Sequence, residues 1–242
     1  GSVSYQFADT RGHSAAVQRL NTYIGKLHTD GYAVYPKFNH PGLVHLACWS
    51  HARRPFHELV VLLRKDAAQS TQCRHAIGIL QVIGKLYHHE SVLRQTQASH
   101  AERLDYRQAH SVPLLPQIKE KIHAAHAIAL PQSKLGKACK YALGQWPKLI
   151  RVLDYGDTEL DTNWAENSIR PLVLGRKNWL HVGSWEAGPR LAAIASVLET
   201  CKRLGVDMRV YLADILPGLA TTKISEVAAL TPKAWRASRP QT

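Results

Sequence analysis

Two carboxylates, Asp30 and Glu166, have surroundings in the sequence that suit metal-dependent chemistry. Asp30 lies where a predicted strand runs into a glycine turn, and a strand end holds a carboxylate in a fixed direction toward a divalent metal. Glu166 is followed closely by Arg170, Arg176 and Lys177. Two carboxylates in a basic setting are typical of a two-metal phosphodiester site, where the metals activate a nucleophile and stabilise the leaving oxygen.

Each carboxylate also has an ordinary structural explanation. Asp-Gly is a common turn pair, so Asp30 could simply serve the backbone of a tight turn. Asn163, three residues before Glu166, matches the capping box of a helix start, in which the glutamate satisfies a backbone donor. Both alternatives stay open at the level of sequence.

The basic residues after Glu166 are predicted to neutralise phosphates. Arg170 and Arg176 can each bind a phosphate through two N–H groups, whereas Lys177 acts as a point charge. Three tryptophans close to them are candidates for stacking on unpaired bases: Trp164, Trp179 and Trp185. Packing in a core is the competing role for each tryptophan.

A second cluster combines a thiol, imidazoles and guanidinium groups. Cys48-x-x-His51 with His57 nearby resembles part of a zinc site, but such sites have four ligands as a rule and no fourth is evident. Arg53 and Arg54 fall on the first turn of a predicted helix and are candidate phosphate contacts, with a solvated charged face as the alternative.

The overall charge favours a polyanionic partner. The 242 residues include 31 Lys and Arg against 18 Asp and Glu, a net charge of +13. Positive charges in such excess repel one another, and they commonly accompany nucleic-acid binding. The simpler alternative is a soluble basic protein without a polyanionic partner. No apolar run approaches the roughly 20 residues of a membrane helix. No GxxxxGK[ST] loop is present, which argues against a nucleotide cofactor.

The four cysteines are far apart and form no CxxC pair. In a chain of this length they are predicted to be reduced thiols of an intracellular protein.

Residues 3–65 have the pattern of an α/β core. Alternating apolar residues predict a strand at 3–9. A second strand is predicted within 26–35, reaching the tight turn at Asp30-Gly31, and a short apolar run predicts a third at 43–49. Helical spacing predicts a helix at 12–25, closed by Gly25, and another at 50–65, with Ser50 as its N-cap.

Residues 66–150 differ, because their apolar spacing is helical and strand signals are missing. We therefore predict an all-helical insertion there, interrupted at Pro113, Pro116 and Pro131. Residues 151–220 return to the core and carry Glu166, with helices predicted at 186–205 and 208–219. Residues 221–242 are predicted to form a peripheral tail.

Five motifs occur in the order seen in transposases of the insertion sequence 66 family: TDGYAVY (29–35), ACWSHARRPF (47–56), LPQSKLGKACKYALGQW (130–146), DTNWAENSIRPLVLGRKNWLHVGS (161–184) and YLADIL (211–216). The chain resembles this family from its first predicted strand to Leu216, and the segment ending in GRKN is the most distinctive part of the resemblance.

The resemblance implies an α/β fold of the ribonuclease-H-like class with a DDE carboxylate triad. Asp30, in TDGY, matches the second aspartate, and Glu166, in NWAEN, matches the final glutamate. It also implies magnesium or manganese ions as cofactors, with a two-metal site only in a complete triad. The implied partner is double-stranded DNA at transposon ends.

One departure from the family concerns the first aspartate. In the family it lies in a motif of the type xDET on an early strand, upstream of a Trp-rich strand, and neither precedes Val3 here. Asp9 is the nearby acid, but its surroundings do not match that motif. The core is therefore expected to be N-terminally truncated, lacking one ligand of the triad and two central strands.

Two functions follow as hypotheses. The chain is either the catalytic domain of a DNA transposase or a transposase-derived fragment that binds DNA or a partner without catalysis, and the missing aspartate favours inactivity. A basic helical adaptor unrelated to DNA is a third possibility. An uncovered edge strand would invite pairing with another chain, so we expect a homo-oligomer. The family also suggests a bacterial, cytoplasmic, DNA-associated protein with no membrane partner.

Overall fold

The computed structural model describes residues 2–8, 14, 17, 20–63, 70–179 and 182–239. The chain divides into two compact units. The first unit comprises residues 12–164, and the second comprises residues 1–11 together with residues 165–242. The division into core, insertion and tail expected from the sequence stays a prediction.

The described part of the chain contains one small parallel sheet. Its strands are β1 (Gly25–Thr29) and β2 (Leu43–Ala47), and Gly25 is paired with Leu43 and Thr29 with Ala47. Parallel strands run in one direction, so both end at the same edge of the sheet. Each was predicted at its place, although β1 is shorter than the predicted segment.

The remaining described elements are helical. The first unit contains α1 (Trp49–Leu62), α2 (Thr71–Gln95), α3 (His100–Tyr106), α4 (Leu115–Ile128) and α5 (Lys134–Arg151). A π-helical turn, Arg107–Ser111, follows α3. The last four helices are α6 (Asn163–Trp179), α7 (Ala187–Leu204), α8 (Met208–Leu219) and α9 (Pro232–Ala237).

The core of the first unit lies between β2 and helices α1, α2, α4 and α5. Its largest fully buried side chain is Trp49, which contacts Trp146 edge-on at 6.0 Å between ring centroids. The indole N–H of Trp49 donates to the carbonyl of Leu149 at 3.0 Å. A buried indole needs such an acceptor, and this bond ties the start of α1 to the end of α5.

Three local predictions were wrong. Residues 2–8 contain no strand: the backbone N–H groups of Val3 and Tyr5 donate to the hydroxyls of Thr200 and Ser196 on α7, at 3.0 and 2.7 Å. Side-chain hydroxyls on α7 therefore accept the hydrogen bonds that the carbonyls of a neighbouring strand would otherwise accept.

The helix predicted at 12–25 does not extend to Gly25, which begins β1 with a φ of 130° that favours glycine. The described residues Ser14, Val17 and Leu20 of that segment are helical. The N-cap of α1 is Cys48 rather than Ser50.

Further along the chain, α7 and α8 occupy the predicted segments. Gly205 ends α7 with a φ of 64°, and the N–H of Val206 donates to the carbonyl of Cys201 at 2.9 Å. Glycine is favoured there because this left-handed conformation crowds any Cβ atom.

The described chain is thus mostly helical with a two-stranded parallel sheet, which is consistent with an α/β fold. The ribonuclease-H-like core stays a prediction. Among the described residues, no helix combines the length and the apolar character needed to cross a membrane.

Candidate functional site

The candidate site lies at the carboxyl edge of the small sheet. Asp30 follows the last residue of β1, and Cys48 follows the last residue of β2. The backbone N–H of Cys48 donates to the carbonyl of Thr29 at 3.1 Å, so the two strand ends are joined beyond the regular ladder. In open parallel sheets, the crevice at this edge is the usual place for a ligand.

Asp30 combines a turn with an accessible carboxylate. Its Oδ1 accepts from the backbone N–H of Tyr32 at 2.9 Å, which confirms the turn explanation for that oxygen. Its carbonyl accepts from the hydroxyl of Tyr141 at 2.6 Å. The side chain is exposed. The turn fixes the backbone without burying the carboxylate, so a ligand from solvent can reach it.

Gly31 is needed at this turn for two reasons. Its φ of 86° is rare for other residues, and a Cβ atom there would lie 2.7 Å from the hydroxyl oxygen of Tyr141. The Asp-Gly pair therefore brings α5, through Tyr141, against the end of β1.

The negative charge of Asp30 affects two tyrosines beside it. Burial raises the pKa of Tyr141, and Asp30 raises it further, while Arg54 opposes the increase. Burial and then Asp30 likewise raise the pKa of Tyr35. Both phenols remain protonated donors at neutral pH, as the Tyr141 bond to the Asp30 carbonyl requires.

The start of α6 is attached to the same edge of the sheet. The backbone N–H of Trp49 donates to the carbonyl of Leu160 at 3.0 Å, and that of Thr162 donates to the thiol sulfur of Cys48 at 3.3 Å. Leu160 is itself buried in the core. The residues just before α6 are therefore held against the first turn of α1.

Asp161 lies two residues before the start of α6 and was not among the predicted site residues. Its carboxylate accepts from the backbone N–H of Asn163 at 3.1 Å and from the Asn163 side-chain amide at 2.9 Å. It thus satisfies a donor that a helix start leaves without an intrahelical partner. The signal was present in the sequence, since this aspartate opens the segment DTNWAEN, but the capping alternative considered there was the Asn163–Glu166 pair.

Asp161 also acts electrostatically on two half-buried side chains. Burial lowers the pKa of His28 on β1, with the backbone at Ala47, Asp161 and Glu159 acting in the opposite direction. Burial and then Asp161 raise the pKa of Tyr87 on α2. The lowered pKa of His28 favours its neutral form, and the raised pKa of Tyr87 keeps its hydroxyl protonated near pH 7.

Glu166 lies on the first turn of α6 and is half-buried. It belongs to the second unit, whereas Asp30 belongs to the first. In the second unit, the following turn of α6 is held to α7, because Arg203 donates to the Ser168 hydroxyl. Tyr5 of the N-terminal segment donates to the Ser168 carbonyl.

The predicted phosphate-binding residues lie on two helices. Arg53 and Arg54 are on α1, the first half-buried and the second exposed, and Arg170 and Lys177 are exposed on α6. The side chains of Arg176 and Trp179 lie outside the described residues, as does Asp9.

Packing in a core, the alternative to base stacking, is wrong for two of the tryptophans. Trp164 and Trp185 are each 64% exposed. Phe7 contacts Trp185 edge-on, with 5.8 Å between ring centroids, and most of the Trp185 surface remains open to solvent. Exposed indoles are suited to stacking on bases, so this role stays a prediction for both.

The thiol of Cys48 and a ring nitrogen of His51 lie within 4.8 Å of each other. Cys48 is buried, and its sulfur already accepts from Thr162, while His57 is exposed. The thiol therefore has a structural role at the edge of the sheet.

Comparison with known proteins places the chain in a family. A family model described as "Transposase IS66 family" matches residues 1–190. Among curated relatives from Sinorhizobium fredii (strain NBRC 101917 / NGR234), the uncharacterized protein y4jD is 32% identical, covering 98% of this chain and 46% of its own length. The uncharacterized protein y4qI is also 32% identical, covering 95% of this chain and 42% of its own length.

The chain spans less than half the length of these relatives. No solved structure matches it. The family match extends over the sheet edge with Asp30 and the segment with Glu166, and this chain belongs to the IS66 family of transposases.

Proposed function

We propose that this chain supplies two carboxylate ligands, Asp30 and Glu166, to the divalent-metal centre of a DNA transposase with a ribonuclease-H-like core. The observation that carries the proposal is the placement of Asp30, an exposed carboxylate directly after β1 at the carboxyl edge of a parallel sheet. The family membership adds the reaction class, since DDE transposases use divalent metals on DNA.

The donor atoms fit the expected metals. Carboxylate oxygens are the ligands that magnesium and manganese prefer, and the Asp30 side chain is accessible from solvent. When bound, the metals would supply an activated nucleophile and stabilise the leaving oxygen of a phosphodiester. The chain's own contribution is to hold Asp30 through its turn and Glu166 through the first turn of α6.

The DNA partner is proposed from charge and exposure. Arg54, Arg170 and Lys177 are exposed cations in a chain of net charge +13. Exposed guanidinium groups can bind phosphates through paired hydrogen bonds, and exposed Trp164 and Trp185 can stack on unpaired bases. Homo-oligomerisation stays a prediction.

The second candidate function is a transposase-derived DNA-binding or partner-binding chain without catalysis. The DDE pattern has three carboxylates, and Asp30 and Glu166 match two of them. Under this function the basic residues still bind DNA phosphates, and the chain on its own is predicted not to cleave DNA.

The experiment is a nicking assay on supercoiled and linear DNA with magnesium or manganese. It compares the chain with its Asp30→Asn and Glu166→Gln variants, which remove charge and preserve shape. Asp105→Asn, which changes an exposed carboxylate on α3, is the matched control. Metal-dependent nicking that is lost in both site variants and retained in the control supports catalysis.

Salt-sensitive DNA binding without nicking by any of these proteins supports the second function. Nicking that survives both site variants contradicts the assignment of the two carboxylates.

A further inference from the structure

A fully buried ion pair lies in the helical part of the first unit. Glu90 on α2 and Arg107 at the start of the π-helical turn are both 0% exposed. The guanidinium binds the carboxylate in forked fashion, with Nε to Oε1 at 2.7 Å and Nη2 to Oε2 at 2.8 Å. Burial of a charged pair is weak evidence for stability, because desolvation offsets much of the attraction. Its other contacts indicate what else the pair does.

The remaining hydrogen bonds of Arg107 all go to a single segment, residues 152–158, and most of them to its main-chain carbonyls. Nη2 donates to the carbonyl of Thr158 at 2.7 Å, and Nη1 donates to those of Tyr155 and Val152, the latter at 3.4 Å. These carbonyls lie beyond the regular end of α5 and need donors when they are buried. Glu90 fixes the guanidinium, and the guanidinium fixes the segment.

Neighbouring groups hold the same segment from two sides. Arg103 on α3 donates to Glu90 at 2.8 Å and to the Thr158 carbonyl at 3.3 Å. From β1, Lys26 binds the carboxylate of Asp157 and lies 4.6 Å from the ring centroid of Tyr155. The segment is therefore held between the sheet and the helices α2 and α3.

The segment leads directly into α6. Two residues after Thr158, the Leu160 carbonyl accepts from Trp49, and Asp161 accepts from Asn163 at the first turn of that helix. Glu166 lies three residues beyond Asn163 on the same helix. A continuous series of contacts thus runs from the buried pair to the helix start.

We propose that Arg107, held by Glu90, is a positioning residue that fixes residues 152–162 and through them the first turn of α6. The role for Glu166 rests on the proposed function, but the effect on the helix start does not. The helical part of the first unit then does more than fill space, because it holds the segment that leads into α6.

The test is native-state hydrogen exchange on a Glu90→Met/Arg107→Met double variant. Replacing both partners with apolar side chains leaves no unpaired buried charge, so the variant is expected to fold. The carbonyls of 152–158 lose the hydrogen bonds from Arg107 and keep those from the Thr158 hydroxyl and Arg103. The amides of Thr162 and Asn163 should then exchange about tenfold faster. Amides of the β1–β2 ladder should keep their protection.

Arg94→Gln is the matched control. Arg94 binds Glu159 at 3.1 Å at the exposed side of the same network, and none of its described contacts is with a carbonyl of 152–158. Its exchange pattern should equal that of the parent chain. If the double variant fails to fold, Arg107→Lys replaces it, because lysine keeps the charge beside Glu90 and cannot form the fork.

A second readout is the affinity for manganese, measured by calorimetric titration. It should fall about tenfold in the double variant and stay unchanged in Arg94→Gln. Unchanged protection at Thr162 and Asn163 in a folded variant would overturn the positioning role. Faster exchange there, together with Glu166→Gln leaving manganese binding intact, would support the positioning role and contradict the proposed function instead.

Discussion

Asp161 accepts two hydrogen bonds from Asn163, one from its backbone N–H at 3.1 Å and one from its side-chain amide at 2.9 Å. This pair defines the start of α6, the helix on which Glu166 lies. A carboxylate at this position also interacts favourably with the positive end of the helix dipole.

We expect Asp161→Ala to destabilise the first unit by about 1 kcal/mol, the usual effect of removing a helix-capping acceptor. The measurement is urea denaturation followed by circular dichroism. Asp161→Asn keeps a side-chain acceptor and should therefore lose less stability than Asp161→Ala. Equal losses in the two variants would mean that the negative charge, rather than the hydrogen bonds, supports the helix start.

The buried Glu90–Arg107 pair predicts that two arginines of one network differ greatly in how much stability is lost when each is replaced by alanine. Arg107→Ala leaves the Glu90 carboxylate buried and without its main partner, which should cost about 3–5 kcal/mol. Arg94→Ala removes an exposed ion pair and should cost about 0–1 kcal/mol. Urea midpoints of both variants test this. Similar losses would contradict the account of the buried pair.

The same pair predicts a dependence of stability on pH. Burial alone would raise the pKa of Glu90, but the hydrogen bonds and charges of Arg107 and Arg103 outweigh it and hold the pKa below its ordinary value near 4.5. The unfolded chain therefore takes up the proton first. The stabilisation is fully present above the ordinary pKa and is lost as the pH falls through the lower folded-state pKa.

The expected result is a steeper acid loss of stability in the parent chain than in Glu90→Met/Arg107→Met. Urea midpoints measured from about pH 6 down to about pH 3 give the comparison. The other carboxylates are shared by both proteins, so the difference between the curves reports the pair. Parallel curves would show that Glu90 has no depressed pKa in the folded chain.

Gly156 predicts a steric effect in the segment that Arg107 holds. A Cβ atom there would lie 1.7 Å from the carbonyl oxygen of His100, so the backbone of one element would have to move. We expect Gly156→Ala to destabilise by more than about 2 kcal/mol. Gly84→Ala is the matched control: it lies within α2 with open space around its position, and alanine should stabilise that helix by up to about 1 kcal/mol. Thermal denaturation of both variants separates the two effects, and a neutral Gly156→Ala would contradict the close approach.

The proposed DNA contacts predict a change in salt dependence. Each phosphate contact releases counterions, so Arg54→Gln and Arg170→Gln should each reduce the slope of log affinity against log salt by about 1. Arg151→Gln, an exposed change on α5 with the same loss of charge, should leave the slope unchanged. Fluorescence anisotropy on a DNA duplex across salt concentrations makes the comparison. Equal effects of all three variants would indicate a general effect of net charge.

The sequence predicted the elements whose signals are local. Strands β1 and β2 and helices α7 and α8 follow from apolar spacing and, at Gly205, from a glycine that the helix end requires. Asp30 was recognised because Asp-Gly marks a turn at a strand end, and the structure confirms that turn.

The features that sequence missed depend on partners far along the chain. Val3 and Tyr5 alternate as a strand would, but the hydroxyls of Thr200 and Ser196 take their backbone donors. Arg107 was read only as part of a helical segment, because nothing local shows that its donors meet carbonyls of 152–158. Long-range pairing of this kind leaves no periodic signal in a single sequence.

The most direct test of the central claim is a double-mutant cycle on manganese binding, using Asp30→Asn, Glu166→Gln and the combined variant in calorimetric titrations. If both carboxylates bind the same metal centre, each single variant should lose nearly as much affinity as the combination, because ligands of one site do not contribute additively. Losses that add independently, or affinities equal to that of the parent chain, would contradict the assignment of Asp30 and Glu166 to a common centre.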